Sequence, residues 1–301
     1  MRGFWQKLNW RAAFVWGLLL LAVNNPAALA AEELTPGKAY LDSVYQTMLT
    51  VDSVHYDMTI KAETPRGNVK IAINGDAQDS PLTIKNRIHI DYRDAGENEK
   101  AVELAQYIET QEKDLVMYLL HNGAWVKQLV AVDADLFRKR SAPEKAADRL
   151  VALQLIKSVE FKRETPSYRY MEVTLDAVQV SDQFGAAVSR KNTQDKNMLR
   201  VLAVTRLGIL AAGDIKYMLK VDKAANRVAE IEMDLTEPFR KGARLFLDVV
   251  DPRERHEIEA FLSQSTLRVQ INYSNYNQTG VIEVPQEVRE QARELKPGLL
   301  L

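Results

Sequence analysis

The feature that most constrains the fold is a two-residue alternation of apolar and polar side chains. In the stretch "VHYDMTIKA", every second position is apolar, at Val54, Tyr56, Met58, Ile60 and Ala62. Successive side chains of a β-strand point to opposite faces of the sheet. The stretch therefore predicts a strand with one buried and one solvated face.

The same alternation returns in about ten or eleven segments of the chain. These include segments around residues 69–73, 82–92, 102–108, 115–119, 124–126, 159–164, 168–175, 215–221, 229–235 and 267–273, and "GVIEV" at 280–284. Asn74-Gly75 and Asn122-Gly123 predict hairpin turns, since Asn-Gly between alternating segments is a strong hairpin signal. Consecutive hairpins predict an antiparallel meander that is buried on one face.

Helical signals interrupt the strands at three places. Thr35 and Pro36 predict a helix start, Ser141 and Glu144 form a capping box, and Asp251-Pro252 opens a third helix. Residues 177–212 are predicted to be helical or irregular. Because every apolar face must be covered and no Pro/Gly/Ser-rich linker divides the chain, we expect one α+β domain over residues 31–301. Its fold is a strongly curved antiparallel sheet, an unclosed half-barrel of about ten or eleven strands with helices covering the concave face.

The N-terminal segment predicts export. Three basic residues precede an apolar run of 12 residues, 12–23, which is shorter than the about 20 residues of a membrane span. Ala28-Leu29-Ala30 supplies small residues before a cleavage point. This layout is typical of a secretory signal peptide, residues 1–30, cleaved near Ala30, with a retained anchor as the alternative. The mature chain is then periplasmic or extracellular, with no transmembrane segment and, since it contains no cysteine, no lipidated anchor residue.

The order of these parts resembles a known fold family. An N-terminal helix feeds a long strand in "VYQTMLTVDSVHYDMTIKAE", a hairpin follows in "YLLHNGAWVKQ", and the chain closes with "INYSNYNQTGVIEVP". This layout resembles the LolA/LppX-type fold of bacterial periplasmic carriers and is similar to its soluble members, which lack the anchor cysteine. The resemblance implies an unclosed barrel with a helical lid over an apolar cavity that carries acyl chains of lipids or lipoproteins. No functional residue of those carriers matches a position here.

Composition and motifs argue against most chemistries. The 40 Lys and Arg are interspersed with 41 Asp and Glu, without the basic stripe of a nucleic-acid binder. The chain has no HExxH, GxSxG or glycine-rich phosphate loop, so we expect no metal, no cofactor and no enzymatic activity. An enzyme whose site is assembled from distant residues is the third-ranked alternative. The histidines His55, His89, His121 and His256 are predicted to lie at the surface, and the sequons at Asn272 and Asn277 to mark a polar strand end and turn.

The remaining candidate site is the apolar strand face, which is rich in methionine and aromatic residues suited to an adaptable pocket. The predicted ligand-lining residues are Tyr56, Met58, Ile60, Ile71, Met117, Trp125, Tyr217, Met233 and Tyr273. The competing interpretation is that they pack against the helices as ordinary core. The sequence thus favours a non-enzymatic exported protein that binds a lipid, an acylated lipoprotein or another hydrophobic ligand. The alternative is an envelope protein-interaction or scaffold module, which a large exposed apolar patch outside the concavity would favour.

Overall fold

The computed structural model describes residues 34–79, 81–94, 96, 98, 100–112, 114–121, 123–130, 149–189, 196–245, 247 and 252–294. The predicted signal peptide at 1–30 and the capping box at Ser141 and Glu144 lie outside these residues. The single-domain boundaries that the sequence suggests therefore remain a prediction.

Twelve strands form one sheet. They are β1 (Ser53–Thr64), β2 (Gly67–Asp79), β3 (Leu82–Asp94), β4 (Lys100–Gln111), β5 (Asp114–His121), β6 (Ala124–Val130), β7 (Ile156–Glu164), β8 (Tyr168–Leu175), β9 (Ile215–Asp222), β10 (Arg227–Asp234), β11 (Thr266–Ser274) and β12 (Arg293–Glu294). Their order across the sheet is β12-β6-β5-β4-β3-β2-β1-β11-β10-β9-β8-β7. Neighbours are antiparallel except β12 and β6, which are parallel, and the edge strands β7 and β12 are not paired with each other. The predicted α+β half-barrel, curved and unclosed, is confirmed.

The helices connect groups of strands. They are α1 (Pro36–Met48), α2 (Ala177–Ser189), α3 (Lys196–Ala212), α4 (Thr236–Arg244), α5 (Pro252–Gln264) and α6 (Gln286–Gln291), and residues 149–154 are also helical. Helix α1 starts as predicted, since the Thr35 side chain accepts a hydrogen bond from the Lys38 backbone N–H and Pro36 occupies the first helical position. None of the helices within the described ranges is long and apolar enough to cross a membrane.

The strand register divides the sheet into two faces. Directly paired residues share a face, and the pairs Tyr56–Tyr273, Met58–Ile73 and Ile108–Met117 place the apolar series on what we call the inner face. The alternate positions form the outer face, which carries most of the ionised groups. The periodicity in the sequence thus predicted the buried side of the sheet.

Helix α1 lies on the inner face against β7 to β10. Its Leu41 and Val44 are fully buried together with Met171, Val173 and Val221 of the sheet. Gly37 permits this close approach, since a Cβ atom there would lie 2.5 Å from the Val159 backbone oxygen. This region, here called the α1 cluster, is an ordinary helix-on-sheet core.

Two local predictions from the sequence are wrong. Asn74-Gly75 is not a turn, because β2 runs through it from Gly67 to Asp79. The segment "GVIEV" is not a strand either, since residues 281–285 have no regular secondary structure. Its alternation has another cause: Ile282 and Val284 are buried while Val281 is 80% exposed, so an extended segment lies on the surface with one side covered. The actual last strand is the short β12.

Candidate functional site

The second apolar region of the inner face is built from strands. Its buried members are Tyr56, Ile84, Ile108, Leu115, Met233, Val269 and Ile271. Half-buried apolar side chains line it, among them Met58, Ile60, Ile73 and Met117. We call this region the strand cluster. Within the described residues, none of its members belongs to a helix, which distinguishes it from the α1 cluster.

The structure brings eight of the nine predicted lining residues to the inner face. Tyr56, Met58, Ile60, Met117, Tyr217, Met233 and Tyr273 belong to the strand cluster or pack against it. Ile71 is half-buried next to them, since it pairs with Ile60 across β1 and β2. The sequence pattern therefore located the right face for these eight positions.

Trp125 lies on the opposite face, which corrects its place in the predicted set. The register of β5 and β6 pairs Trp125 with Leu120, whereas Met117 pairs with Gln128. The indole packs on Tyr107 with ring centroids 5.7 Å apart. The cause is the register of the β5–β6 hairpin, which sets the face of every β6 side chain.

A chain of polar side chains crosses the strand cluster, and we call it the polar ladder. The Tyr56 hydroxyl donates to Asn86 Oδ1 at 2.6 Å, and Asn86 Nδ2 donates to Gln106 Oε1 at 2.8 Å. Gln106 Nε2 then contacts Met117 Sδ at 3.2 Å. The sequence showed only that Asn86 interrupts the apolar alternation of β3; its partners could not be predicted because they lie on other strands.

Three tyrosines of the inner face, Tyr56, Tyr217 and Tyr273, are neutral at physiological pH. Burial raises the pKa of Tyr273 to about 12 and also raises the pKa values of Tyr56 and Tyr217. Loss of water around a phenol disfavours its charged form. The wall of the strand cluster thus combines apolar side chains with uncharged hydrogen-bonding groups.

The outer face behind this region is held by an ion pair. Arg289 of α6 makes two contacts with the buried Glu109 carboxylate, Nε to Oε1 at 3.0 Å and Nη2 to Oε2 at 2.6 Å. Tyr118 and Gln111 also donate to this carboxylate, at 3.1 and 2.6 Å. Burial opposes ionisation of Glu109, but these hydrogen bonds outweigh it and lower its pKa. The network fixes α6 on the outer side of β4 and β5.

Two of the histidines, His55 and His89, lie beside acidic side chains. His55 Nδ1 is 2.8 Å from Asp76 Oδ1, and His89 Nε2 is 2.7 Å from Asp91 Oδ1, both on the outer face. His256 is exposed on α5. In the part of the chain that the structure describes, no group of three or more His, Cys, Asp or Glu side chains could hold a metal ion.

The sequon at Asn277 has a structural role in this fold. Its side-chain oxygen accepts hydrogen bonds from the backbone N–H groups of Asp52 and Ser53 at 2.7 and 3.2 Å. Its Nδ2 donates to the Thr50 backbone oxygen at 3.1 Å. Asn277 therefore fixes the chain where it enters β1, in agreement with the predicted polar turn.

Comparison with known proteins assigns the family. The model of a family described as "Family of unknown function (DUF6612)" matches residues 40–242. The chain belongs to DUF6612. This DUF6612 chain has no match among curated proteins.

Three solved structures are similar to this DUF6612 chain. The lipoprotein LppX of Mycobacterium tuberculosis is 10% identical, with a TM-score of 0.39, over 82% of this chain and 97% of LppX. LprF of Mycobacterium bovis is 14% identical, with a TM-score of 0.40, over 85% and 99% of the two chains. A DUF1329 family protein of Desulfovibrio piger is 11% identical, with a TM-score of 0.27, over 83% and 96%.

Proposed function

We propose that this protein is an exported, non-enzymatic carrier that binds the acyl chain of a lipid or of an acylated lipoprotein along the strand cluster. The observation that carries the proposal is the half-buried apolar wall of β1, β2 and β5, which contains no helical residue among those the structure describes. When a ligand covers exposed apolar surface in a concave site, the removal of that surface from water favours binding by about 25 cal/mol per Å².

The composition of the wall favours a flexible aliphatic ligand. Met58, Met117 and Met233 all belong to the strand cluster or pack against it. Methionine side chains are unbranched and polarizable, so they adapt to chains of varied shape. The neutral tyrosines add contact area without requiring a charged ligand. A single domain over residues 31–301, free in the compartment after cleavage near Ala30, is part of the same proposal.

The test compares two neighbouring positions of β1 that face opposite sides of the sheet. Met58→Lys puts a charge into the strand cluster, whereas Thr59→Lys puts the same charge on the outer face. Native mass spectrometry after gentle purification identifies lipid bound to the wild-type protein. Displacement of the apolar fluorophore N-phenyl-1-naphthylamine by methyl palmitate then measures affinity.

We expect wild-type and Thr59→Lys proteins to bind equally, and Met58→Lys to bind at least about tenfold more weakly, because a charge is costly in an apolar site. A wild-type protein that is always isolated empty and binds neither fluorophore nor ester contradicts the proposal. Equal binding by both lysine variants contradicts the assignment to the strand cluster.

A second candidate function, docking of an envelope protein, is favoured by one surface feature. Val204, Leu207 and Leu210 of α3 are 46%, 52% and 44% exposed at helical spacing, so they form one apolar stripe. Val178 of the neighbouring α2 is also exposed, at 55%. An exposed apolar patch is typical of interaction surfaces. Crosslinking in intact cells from a photoreactive residue at position 207 tests this candidate.

A further inference from the structure

The polar ladder is a specific arrangement rather than a chance contact, because β2 has to leave room for it. Tyr56 lies on β1 and Asn86 on β3, so their hydrogen bond passes over β2 at Gly75. A Cβ atom at position 75 would lie 2.3 Å from Asn86 Oδ1 and 2.6 Å from Tyr56 Cζ. Only glycine at this position allows the ladder to form in this geometry.

The ladder ends on an unusually weak acceptor. Asn86 and Gln106 are 7% and 2% exposed, and buried amides normally satisfy their donors with oxygen acceptors. Gln106 Nε2 instead donates to the thioether of Met117, and thioether sulfur accepts hydrogen bonds only weakly.

Among the described residues, the inner-face neighbours of these donors along β3 and β4 are apolar. The inner-face residues two positions away along β3 and β4 are Ile84, Ile88, Leu104 and Ile108. A buried N–H without a good acceptor is unfavourable, so an oxygen acceptor on a ligand should increase its binding affinity at this point. None of the inner-face residues named here could pair with an ionised acceptor, which would also lose its hydration. The site therefore fits a neutral acceptor at the end of an aliphatic chain.

We propose that Gln106, supported by Asn86 and Tyr56, binds the ester or amide carbonyl oxygen of an acyl ligand, and that Met117 occupies this place until the ligand arrives. The proposal rests on the proposed function and deepens it, since it names the chemical group that the strand cluster selects. The Gln106 Nε2–H donates to the carbonyl oxygen, and the flexible Met117 side chain turns aside. Tyr56 fixes the Asn86 amide, which in turn orients Gln106.

The experiment measures selectivity between two ligands of matched length. Methyl palmitate and heptadecane compete with N-phenyl-1-naphthylamine for the full-length exported protein and for Gln106→Met, which keeps an unbranched side chain but removes both donors. The ratio of ester affinity to heptadecane affinity should be about three- to tenfold larger for the wild-type protein than for Gln106→Met. This is the change in binding constant expected from one net hydrogen bond. Heptadecane brings no acceptor for Gln106, so it should bind Gln106→Met at least as tightly as it binds the wild-type protein. Thr59→Lys, which changes only the outer face of β1, should keep the wild-type ester preference.

A second measurement needs no variant. Infrared difference spectra with ¹³C-carbonyl methyl palmitate report whether the bound carbonyl accepts a hydrogen bond, through a shift of the stretch to lower wavenumber than in an alkane solvent. A bound carbonyl at the alkane-solvent position overturns the inference, as does equal ester preference in wild-type and Gln106→Met proteins. In both cases the proposed function stands, because the ligands still bind. If neither ligand binds, the proposed function fails instead.

Discussion

The α1 cluster and the strand cluster lie on the same inner face and are produced by the same sequence pattern, yet they differ in which described elements supply their buried residues. In the α1 cluster, Leu41 and Val44 of the helix are fully buried against sheet residues. In the strand cluster, every buried member comes from a strand, and Met58, Ile60, Ile73 and Met117 stay half-buried. A two-residue alternation therefore identifies an apolar face without deciding whether that face is core or a binding wall.

The largest expected effect is on the α1 cluster. Leu41→Ala should lower the free energy of unfolding by about 2–5 kcal/mol, because it removes a fully buried side chain and leaves a cavity. The matched change in the strand cluster, Ile73→Ala, should cost only about 1 kcal/mol because Ile73 is half-buried. Urea unfolding followed by circular dichroism measures both. Equal losses of unfolding free energy in the two variants would contradict the distinction between the two clusters.

The next effect concerns the ladder. Gly75→Ala should destabilise the protein by about 1–3 kcal/mol, because the new Cβ overlaps Asn86 and Tyr56. Gly208→Ala is the control, since a Cβ atom there in α3 meets nothing within 4 Å and alanine favours a helix by up to about 1 kcal/mol. The unfolding temperature should therefore fall for Gly75→Ala and rise for Gly208→Ala. If Gly75→Ala is neutral, the ladder is not a fixed element of the strand cluster.

A smaller effect is expected on the outer side of the strand cluster, where Arg289 is 46% exposed and water weakens its pair with Glu109. The pKa of Glu109 is lower in the folded protein than its ordinary value of 4.5. A carboxyl group with a lowered folded-state pKa stabilises the fold above the unfolded-state pKa, and this contribution is lost as the pH falls through the folded-state value. Glu109→Gln should therefore be less stable than wild type at pH 7, and the difference should shrink below about pH 4.5.

The control for this pH dependence is Glu287→Gln, an exposed position in the same short helix. Its urea midpoint should follow the wild-type midpoint across the whole pH range. A Glu109→Gln deficit that persists unchanged at pH 3 would mean that packing rather than charge holds α6 on the sheet.

The smallest effect on stability is expected at the exposed stripe of α3. Leu207→Ser should change the free energy of unfolding by no more than about 0.5 kcal/mol, as is usual for exposed positions. It should also leave methyl palmitate binding unchanged, because none of the described α3 side chains belongs to the strand cluster. A loss of crosslinks in cells without loss of ligand binding would show that the stripe and the strand cluster serve different partners.

The sequence by itself determined the features that depend on residues close together in the chain. Alternation placed Tyr56, Met58 and Ile60 on one face because the side-chain period of a strand is two. Thr35 and Pro36 located the start of α1 because a helix N-terminus leaves its first N–H groups to be satisfied locally. The α+β half-barrel class followed from the order of such elements.

Only the tertiary structure decided the features that depend on register between strands. It placed Trp125 on the outer face, carried β2 through Asn74-Gly75, and joined Tyr56, Asn86 and Gln106 across four strands. A slip of one residue in pairing exchanges the faces of a strand, so side-chain alternation within one strand does not specify these contacts. The division of the inner face into a helix-covered core and a strand-built wall has the same origin, since it depends on where a distant helix packs.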